Sequence, residues 1–439
     1  MGVKGSNFLE SEGIRFLRIA WCDNANVIRA KAVHAGAASE VLEHGVGISR
    51  AQQGVYVTRD AFVPESGLGP VGEVRLVPDL ETLSALPFAP GHARVMGDMR
   101  VDGAPWPLCP REFVRRMERN LAERGLEVRA AFENEFYLLE GGDGPPRPVD
   151  RSPFCAVHAM NTSFGFVDDL AEALLAQRIP VEQWYPESGF GQQELSVGYA
   201  APLVAADRQV AYRETVHAVA HRHGLRASFL PKVFAESAGS GCHVHMSLWR
   251  GGHNVTAGPG PGGLSPETRS WMAGLLEHLP ALMALTTPIP NSYRRIQPHC
   301  WSGAFACWGL DNREAALRVP SHPSGGGPTN FELKTVDAAS NPYLVLGAVM
   351  AAGLDGLERG LDPGDPVGED PGLLPEALRP GRLPRSLGEA LGHLEKDGVI
   401  LDALGPELAR AVLAVRRKEL EELGSLALEE EVALLLGRY

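Results

Sequence analysis

Five glutamates and one histidine, all able to bind metal, recur in four short motifs of this 439-residue chain. Carboxylate oxygens with one imidazole nitrogen form a hard ligand set, which favours magnesium or manganese over zinc. Two such ions near a group of arginines would suit the handling of a phosphoryl group. In chain order, the six candidate ligands are Glu133, Glu135, Glu187, Glu194, His243 and Glu332.

Three predicted strands each carry a polar pair two residues apart, and side chains with that spacing share one face of a strand. For a single strand, the wet face of a half-exposed sheet is a sufficient explanation. If the strands converge, however, their carboxylates raise one another's pKa, and a divalent metal removes that cost. Convergence would therefore imply a metal site. The pairs are Glu133 with Glu135, His243 with His245, and Glu332 with Lys334.

Arginines are concentrated between residues 294 and 318, although the formal net charge of the chain is −13. Guanidinium groups bind carboxylates and phosphates through two parallel hydrogen bonds, so this segment is a candidate anion site. The alternative is a set of surface arginines in a loop, but neighbouring aromatic residues and prolines favour a structured rim. The arginines are Arg294, Arg295, Arg313 and Arg318.

Composition argues against several classes of protein. The negative net charge is unlike that of a nucleic-acid-binding protein. Six cysteines without a CxxC pair do not fit a disulfide scaffold or a standard zinc module. The sequence shows no membrane-spanning apolar run and no signal-peptide pattern. We therefore expect a reduced, cytoplasmic protein with no nucleic-acid or membrane partner.

Turn residues and hydrophobic periodicity predict the elements that position the candidate residues. Residues 14–22 and 26–34 predict a β-hairpin. A helix is expected to begin near Pro110, and the punctuated segment before it places a domain boundary after residue 103, giving domains 1–103 and 104–439. Further predicted strands cover 128–139, 226–234, 241–249, 304–310, 314–319 and 330–336, and further predicted helices cover 168–177, 207–223, 266–285, 341–359, 386–397 and 405–423.

Several motifs occur in one order and make the chain resemble the glutamine synthetase family over nearly its whole length. Each motif is weak alone, but the ordered set is highly specific. The motifs are Phe132-Glu-Asn-Glu-Phe136, Glu187-Ser-Gly-Phe-Gly-Gln-Gln-Glu194, Gly239-Ser-Gly-Cys-His-Val-His-Met-Ser247, Asn291-Ser-Tyr-Arg-Arg295, Asn312-Arg313, Arg318-Val-Pro320 and Asn341-Pro-Tyr343.

The resemblance implies an α+β fold, with a small N-terminal β-grasp domain and a C-terminal catalytic α/β domain whose curved antiparallel sheet forms a funnel. It also implies a large homo-oligomer with active sites between neighbouring subunits. The implied activity is a ligase that uses ATP and two Mg²⁺ or Mn²⁺ ions. In that reaction the γ-carboxylate of glutamate attacks ATP to form a γ-glutamyl phosphate, and an amine then displaces phosphate.

Roles for individual residues follow from the resemblance, motif by motif. One metal ion would be bound by Glu135, Glu187 and Glu194, and the other by Glu133, His243 and Glu332. The residues that resemble nucleotide-contacting positions are Glu182, His245, Ser247, Arg313 and Arg318. The residues that resemble glutamate-binding positions are Gly239 and Arg295, and the catalytic cations would be Arg313, Arg295 and Lys334.

Two departures from the family pattern concern the ammonium pocket. Glutamine synthetases carry an aspartate in an N-terminal Asp-Gly-Ser-Ser motif, whereas the corresponding segment 45–54 has no acid. They also carry a glutamate six residues after the substrate arginine, where this chain has Trp301. An indole can face a substituted ammonium or line its alkyl part. A softer departure is Lys334, which stands in place of an arginine and lacks its planar fork.

Because of these departures, the first hypothesis is an ATP-dependent glutamate–amine ligase whose amine is not ammonia. The second is glutamine synthetase itself, with an ammonium pocket rebuilt from other residues. The third is a non-catalytic homologue that acts as a binding protein. Retention of all six metal-ligand types argues against the third, because a non-catalytic protein is free to lose a costly carboxylate cluster.

Overall fold

The computed structural model describes residues 2–322 and 325–439. In the N-terminal part, the strands are β1 (Phe16–Cys22), β2 (Ile28–His34), β3 (Val46–Ser49), β4 (Val55–Tyr56), β5 (Ala61–Phe62), β6 (Glu73–Ala85), β7 (His92–Val101) and β8 (Ala104–Pro105). The main sheet has the order β2-β1-β7-β6-β3, with β8 paired to β7. The antiparallel pairing of β1 with β2 confirms the predicted hairpin, and β1 runs parallel to β7.

A larger sheet forms the catalytic part of the molecule. Its strands are β9 (Glu127–Glu140), β10 (Val181–Pro186), β11 (Gln192–Val197), β12 (Leu225–Ser228), β13 (Cys242–Arg250), β14 (His253–Asn254), β15 (Phe305–Leu310), β16 (Ala315–Val319) and β17 (Phe331–Leu333). The main order is β10-β11-β9-β13-β17-β16-β15. The pairings are antiparallel except for β15 with β16, so the predicted antiparallel sheet is confirmed in its central strands.

Helices cover the sheets and complete the core. They are α1 (Gly2–Ser11), α2 (Ala38–His44), α3 (Pro110–Ala122), α4 (Val157–Ala176), α5 (Pro202–Arg222), α6 (Pro266–Thr286), α7 (Ser292–Arg295), α8 (Pro342–Arg359), α9 (Leu387–Leu394), α10 (Gly398–Leu404), α11 (Pro406–Leu423) and α12 (Leu428–Leu435). Helices α6 and α8 cross closely at two glycines. A Cβ on Gly274 would lie 2.1 Å from the carbonyl oxygen of Ala352, so only glycine fits there. Across residues 2–322 and 325–439, no helix is long and apolar enough to span a membrane.

The structure corrects several of the predicted elements, including the strand predicted at 330–336, which covers only Phe331–Leu333, and the helix predicted at 207–223, which begins at Pro202. The strand predicted at 226–234 ends at Ser228, three residues before Pro231, which cannot donate a backbone hydrogen bond to a ladder. The helix predicted at 168–177 begins at Val157, because buried contacts of Phe166 and neighbouring residues stabilise a first half of low helical propensity. The helix predicted at 386–397 ends at Leu394, and α10 follows as a separate helix.

A buried arginine ties the N-terminal sheet to the catalytic part. Arg111 on α3 is 3% exposed and contacts three aspartates. Its Nη2 lies 2.9 Å from Asp79 and 2.8 Å from Asp207, and its Nη1 donates to Asp98. Burial opposes the charge, but the aspartates raise the pKa of Arg111 well above its ordinary value. The boundary after residue 103 stays a prediction.

His278 joins three helices and gives the fold a pH dependence. Its Nδ1 lies 2.7 Å from Asp397 and its Nε2 lies 3.0 Å from Asp355, which also binds Arg359. Burial lowers the pKa of His278, but both aspartates outweigh burial and raise it. The stabilisation is therefore complete below the ordinary histidine pKa and is lost as pH rises through the raised value.

We expect His278→Gln to lower the free energy of unfolding by about 2 kcal/mol near about pH 6, because hydrogen bonds to a charged group are lost. The difference from wild type should shrink as pH rises. Urea unfolding at several pH values measures it, and a difference that does not change with pH would show that His278 is neutral in the fold.

Candidate active site

The register of the large sheet places the candidate metal ligands side by side in one row. Each strand contributes a polar residue to this row, and the strands lie next to each other in the order of the sheet. From one end to the other, the cross-strand pairs are Glu194 with Glu135, Glu133 with His243, His245 with Glu332, and Glu332 with Arg318. We call these residues, with Glu187 and Lys334, the ligand row.

Glu332 is a fully buried carboxylate surrounded by cationic side chains. Its Oε1 lies 2.9 Å from His243 Nδ1 and 3.3 Å from Lys334 Nζ. Its Oε2 accepts a hydrogen bond from Arg318 Nε. Burial raises the pKa of Glu332, but Lys334 and His243 outweigh burial and hold it well below the ordinary value. Glu332 is therefore charged, and the neighbouring cations stabilise that charge.

Glu133 lies between two histidines. Its Oε1 is 3.1 Å from His243 Nδ1, and its Oε2 is 3.3 Å from His245 Nε2. Burial opposes charge on each group, but the contact lowers the pKa of Glu133 and raises that of His245 to about 9. Ligand atoms from Glu133, His245 and Glu332 all lie within 4.8 Å of one another. The structure thus brings together the three predicted ligands of the second ion and adds His245 beside them.

The other half of the ligand row is a cluster of carboxylates. Glu194 is 4% exposed and accepts a hydrogen bond from Tyr185 Oη at 2.6 Å. Burial, together with the charges of Glu133 and Glu135, raises the pKa of Glu194 to about 10. Burial and the charge of Glu135 also raise the pKa of Glu187. Negative charges on these acids would repel one another.

Such a cluster fits a divalent cation. Positive charge would remove the repulsion that raises the pKa of Glu194 and Glu187. The donor atoms are carboxylate oxygens with imidazole nitrogens, the set that magnesium and manganese accept. The chemistry of the donors and the mutual repulsion of the carboxylates therefore both point to a metal site.

Gln192 holds this cluster in place, although sequence analysis did not select it. Its Nε2 lies 3.3 Å from Glu135 Oε2, 3.1 Å from the carbonyl oxygen of Gly239 and 3.1 Å from Ser240 Oγ. The backbone N–H of Gly241 donates to the same Glu135 oxygen at 2.9 Å. The sequence could have indicated Gln192 by its position, because it lies two residues before Glu194 and shares its face of β11.

A cleft of about 500 Å³ opens beside the ligand row. Two aromatic rings at its rim, Tyr199 and Trp249, have centroids 6.1 Å apart, and Trp249 Nε1 donates to Ser247 Oγ at 2.9 Å. Aromatic faces of this kind suit the stacking of a planar base. Among the lining residues are three of the predicted nucleotide-contacting residues, Glu182, His245 and Ser247, and the candidate ligand Glu133.

Of the two predicted nucleotide-contacting arginines, Arg318 contacts Glu332 in the ligand row, whereas Arg313 lines a second cleft. This second cleft has a volume of about 360 Å³, and Trp301 also lines it. We call it the Trp301 cleft. Its other charged or titratable lining residues are His299, Asp311, Glu314, Glu369 and Asp370.

The loop that carries Trp301 passes close to Lys334 of the ligand row at a glycine. Gly303 follows Trp301 by two residues and has a φ of 73°. A Cβ at Gly303 would lie 3.3 Å from the Cβ of Lys334, whose ammonium contacts Glu332. The indole of Trp301 is 57% exposed, so it is open to a ligand that enters this cleft.

Arg295, a candidate glutamate-binding residue, is buried under the Gly239 loop. Its Nη2 donates to the carbonyl oxygens of Lys334 at 3.3 Å and Val336 at 2.8 Å. Burial lowers the pKa of Arg295, against the nearby charge of Asp337. Within the described residues, its buried Nε has no hydrogen-bond partner. A Cβ at Gly239 would lie 2.4 Å from Arg295 Cγ, which explains glycine at that position.

Comparison with known families identifies the chain. The model of the glutamine synthetase N-terminal domain matches residues 1–106, and that of the glutamine synthetase catalytic domain matches residues 107–434. The chain belongs to the glutamine synthetase family. The family resemblance and the α+β fold predicted from the sequence are both confirmed.

Characterised relatives cover nearly the whole chain. Gamma-glutamylpolyamine synthetase GlnA3 of Streptomyces coelicolor is 41% identical over 427 residues, 94% of this chain and 91% of that protein. Type-1 glutamine synthetase 1 of Dictyostelium discoideum is 32% identical over 97% of this chain and 90% of that protein. A solved complex of GmaS with ADP superposes with a TM-score of 0.87 at 30% identity, covering 98% of this chain and 99% of that chain.

The chain belongs to this family and is 32–41% identical to synthetases over nearly its whole length. It is therefore an ATP-dependent carbon–nitrogen ligase. The hypothesis of a non-catalytic homologue is therefore wrong. Use of ATP and a divalent metal belongs to the glutamine synthetase family, and the ligand row fits the requirement for a metal.

Gly241 offers a direct test of the ligand row. A Cβ at this position would lie 2.5 Å from His243 Nε2 and 3.2 Å from Glu135 Oε1. We expect Gly241→Ala to displace both side chains and to reduce ATP turnover about 100-fold, as disturbances next to metal ligands do. Circular dichroism should show a retained fold. Steady-state turnover close to that of wild type would show that the positions of His243 and Glu135 do not matter for ATP turnover.

Proposed function

We propose that this ligase joins the γ-carboxylate of glutamate to an organic amine and prefers that amine to ammonium. The observation that carries the proposal is the placement of Trp301, which lines an open cleft and lies on a loop that packs against Lys334 of the ligand row. In glutamine synthetases the motif of Asn291-Ser-Tyr-Arg-Arg295 is followed at this position by an ammonium-site glutamate. The relative with 41% identity is a gamma-glutamylpolyamine synthetase, which supports the same class of product.

The size and charge of the Trp301 cleft support an amine larger than ammonium. Its volume of about 360 Å³ is many times the roughly 30 Å³ that a water-sized ion occupies. An indole face attracts substituted ammonium ions by cation–π contact and packs against alkyl chains. Carboxylates of Glu369 and Asp311 line the same cleft and would attract a protonated amine.

The ligand row would bind two divalent ions, Mg²⁺ or Mn²⁺. In this proposal Glu135, Glu187 and Glu194 hold one ion. The other is held by Glu133, His243 and Glu332. Bound ions would supply positive charge that stabilises the transferring phosphoryl group.

The chain's own residues would bind and orient the other reactants. The 500 Å³ cleft with Glu182, His245 and Ser247 would hold the nucleotide, and Arg295, whose buried Nε has no hydrogen-bond partner among the described residues, would attract a glutamate carboxylate by its charge. Arg313 and Arg318 would neutralise phosphate oxygens, and Lys334 would keep Glu332 charged.

The reaction would proceed in two displacements. An oxygen of the γ-carboxylate attacks the γ-phosphorus of ATP, the bond to the bridging oxygen breaks, and ADP leaves. The amine nitrogen then attacks the γ-carbonyl carbon of the glutamyl phosphate and loses a proton, and inorganic phosphate leaves. Positioning and charge stabilisation supply most of the rate enhancement in such a transfer.

We also propose a homo-oligomer, in line with the family resemblance. Exposed apolar side chains on the N-terminal part, including Val71 at 86% and Phe62 at 40% exposure, would be covered by a neighbouring subunit. Light scattering after gel filtration would measure the subunit number. A cytoplasmic location and the division into domains 1–103 and 104–439 remain part of the same proposal.

The direct test is the release of phosphate from ATP in the presence of glutamate and Mg²⁺ or Mn²⁺. Ammonium is compared with a panel of monoamines, diamines and polyamines at equal concentration. Stimulation by an organic amine well above that by ammonium supports the proposal and identifies the class of amine. Stronger stimulation by ammonium would identify a glutamine synthetase whose ammonium pocket is built from other residues.

A further inference from the structure

Glu314 is a buried carboxylate outside the ligand row. It is 6% exposed, and both of its oxygens accept hydrogen bonds from one loop. Oε1 accepts from the backbone N–H of Trp301 at 2.7 Å, and Oε2 accepts from the backbone N–H of His299 at 3.1 Å. Burying a carboxylate is costly unless it is well hydrogen-bonded. Here each carboxylate oxygen accepts one hydrogen bond, and both hydrogen bonds come from the loop that carries Trp301.

This loop needs such support because of its backbone conformation. His299 has a φ of 61° and Trp301 has a φ of 52°, in the left-handed region that residues other than glycine rarely adopt. Such conformations persist only where surrounding contacts enforce them. The opposite side of the loop is closed by Ser302, whose Oγ accepts from Gln297 N–H at 3.0 Å and donates to its carbonyl at 2.8 Å.

The direction of the indole follows from this backbone. Trp301 is 57% exposed, and solvent exposure leaves few packing contacts to hold its side chain. Its position over the Trp301 cleft therefore depends on the loop and on the two hydrogen bonds to Glu314. If the loop relaxed to an ordinary conformation, the indole would leave its place in the cleft.

We infer that Glu314 is a positioning residue for amine selection, which acts by fixing Trp301 in the cleft. The inference rests on the proposed function, in which Trp301 contacts the amine. An alternative is direct attraction of the amine by the charge of Glu314. Glu314 also lines the cleft, but the geometry disfavours this alternative, because the side chain is only 6% exposed and both oxygens already accept hydrogen bonds from amides.

Glu314→Gln keeps the shape of the side chain but turns an amide NH₂ toward one of the two loop N–H groups. We expect the kcat/KM for the organic amine to fall about tenfold, mainly through a higher KM for the amine, because one charge-assisted hydrogen bond is lost. The KM values for ATP and glutamate should change less than about twofold. An equal rise in the KM of all three substrates would overturn the inference.

Glu314→Asp separates positioning from charge. The shorter side chain keeps the negative charge but cannot reach both amides, so it should show the same selective rise in the KM for the amine. Wild-type behaviour of Glu314→Asp alongside an impaired Glu314→Gln would show that charge alone matters. Both variants are checked by thermal unfolding, and if Glu314→Gln does not fold, Glu314→Asp still carries the test.

A double-mutant cycle with Trp301→Ala tests whether Glu314 acts through the indole. We expect Glu314→Gln to have almost no further effect on the KM for the amine once the indole is absent. Glu369→Gln is the matched control, since it removes an exposed carboxylate from the same cleft. Its effect should add to that of Trp301→Ala.

Additive effects for Glu314→Gln as well would overturn the inference. Wild-type enzyme without activity toward any organic amine would refute the proposed function. An active wild type with unaltered Glu314 variants would refute this inference alone.

Discussion

Glu194→Gln is expected to remove at least about 99% of ATP turnover while the metal-free protein stays at least as stable as wild type. Burial and neighbouring acids raise the pKa of Glu194 to about 10, which disfavours a negative charge at this position unless a cation binds. A glutamine has the same shape and no charge to desolvate. The lost property is the negative charge that a bound cation would require.

Thermal unfolding with and without Mg²⁺ or Mn²⁺ measures both parts of this prediction. Wild type should be stabilised by the cation, and Glu194→Gln should lose most of that stabilisation. Glu172→Gln, which changes an exposed acid on α4, is the matched control. A Glu194→Gln variant that is unstable without metal, or that turns over ATP at the wild-type rate, would contradict the assignment of Glu194 as a metal ligand.

Trp301→Glu is expected to shift the preference from an organic amine toward ammonium by about 10- to 100-fold in the ratio of kcat/KM values. The change removes an aromatic face, worth up to about 2 kcal/mol for a desolvated cation, and adds a carboxylate that can bind ammonium. Trp301→Phe is the control, because it retains an aromatic face without the carboxylate. An unchanged preference among amines in Trp301→Glu would show that Trp301 does not contact the amine.

Much of the candidate site could be predicted from local sequence, because strand alternation is a local property. The pairs Glu133 with Glu135 and His243 with His245 lie on shared faces, as their spacing predicts. Long-range register could not be predicted that way. The pairing of Glu194 with Glu135 joins β11 to β9, and the sequence analysis identified neither β11 nor its other neighbour β10.

The failure to identify these strands has a physical reason. The segment 181–197 is rich in Gln and Glu and lacks the usual alternation of apolar and polar residues. The buried Gln193 accepts a 2.9 Å hydrogen bond from Trp184 Nε1 on the neighbouring strand, a contact that hydrophobic periodicity cannot reveal. Individual roles, such as nucleotide or glutamate binding, came from the family resemblance rather than from periodicity.

The Trp301 cleft is a second feature that local sequence patterns could predict only in part. Trp301 was selected from its spacing to Arg295 within the family pattern, but Glu314 was not, because its partners are backbone amides of a loop 13 and 15 residues away. Such contacts leave no periodic signal in the sequence. They appear only when the loop and the start of β16 are placed together.

The central claim is that the enzyme makes a γ-glutamyl amide of an organic amine. The most direct measurement is a competition in which wild-type enzyme, ATP, glutamate and Mg²⁺ are incubated with ammonium and a polyamine at equal concentrations. Mass spectrometry then quantifies glutamine and the γ-glutamyl amide. We predict that the γ-glutamyl amide is the main product; an excess of glutamine would contradict the claim.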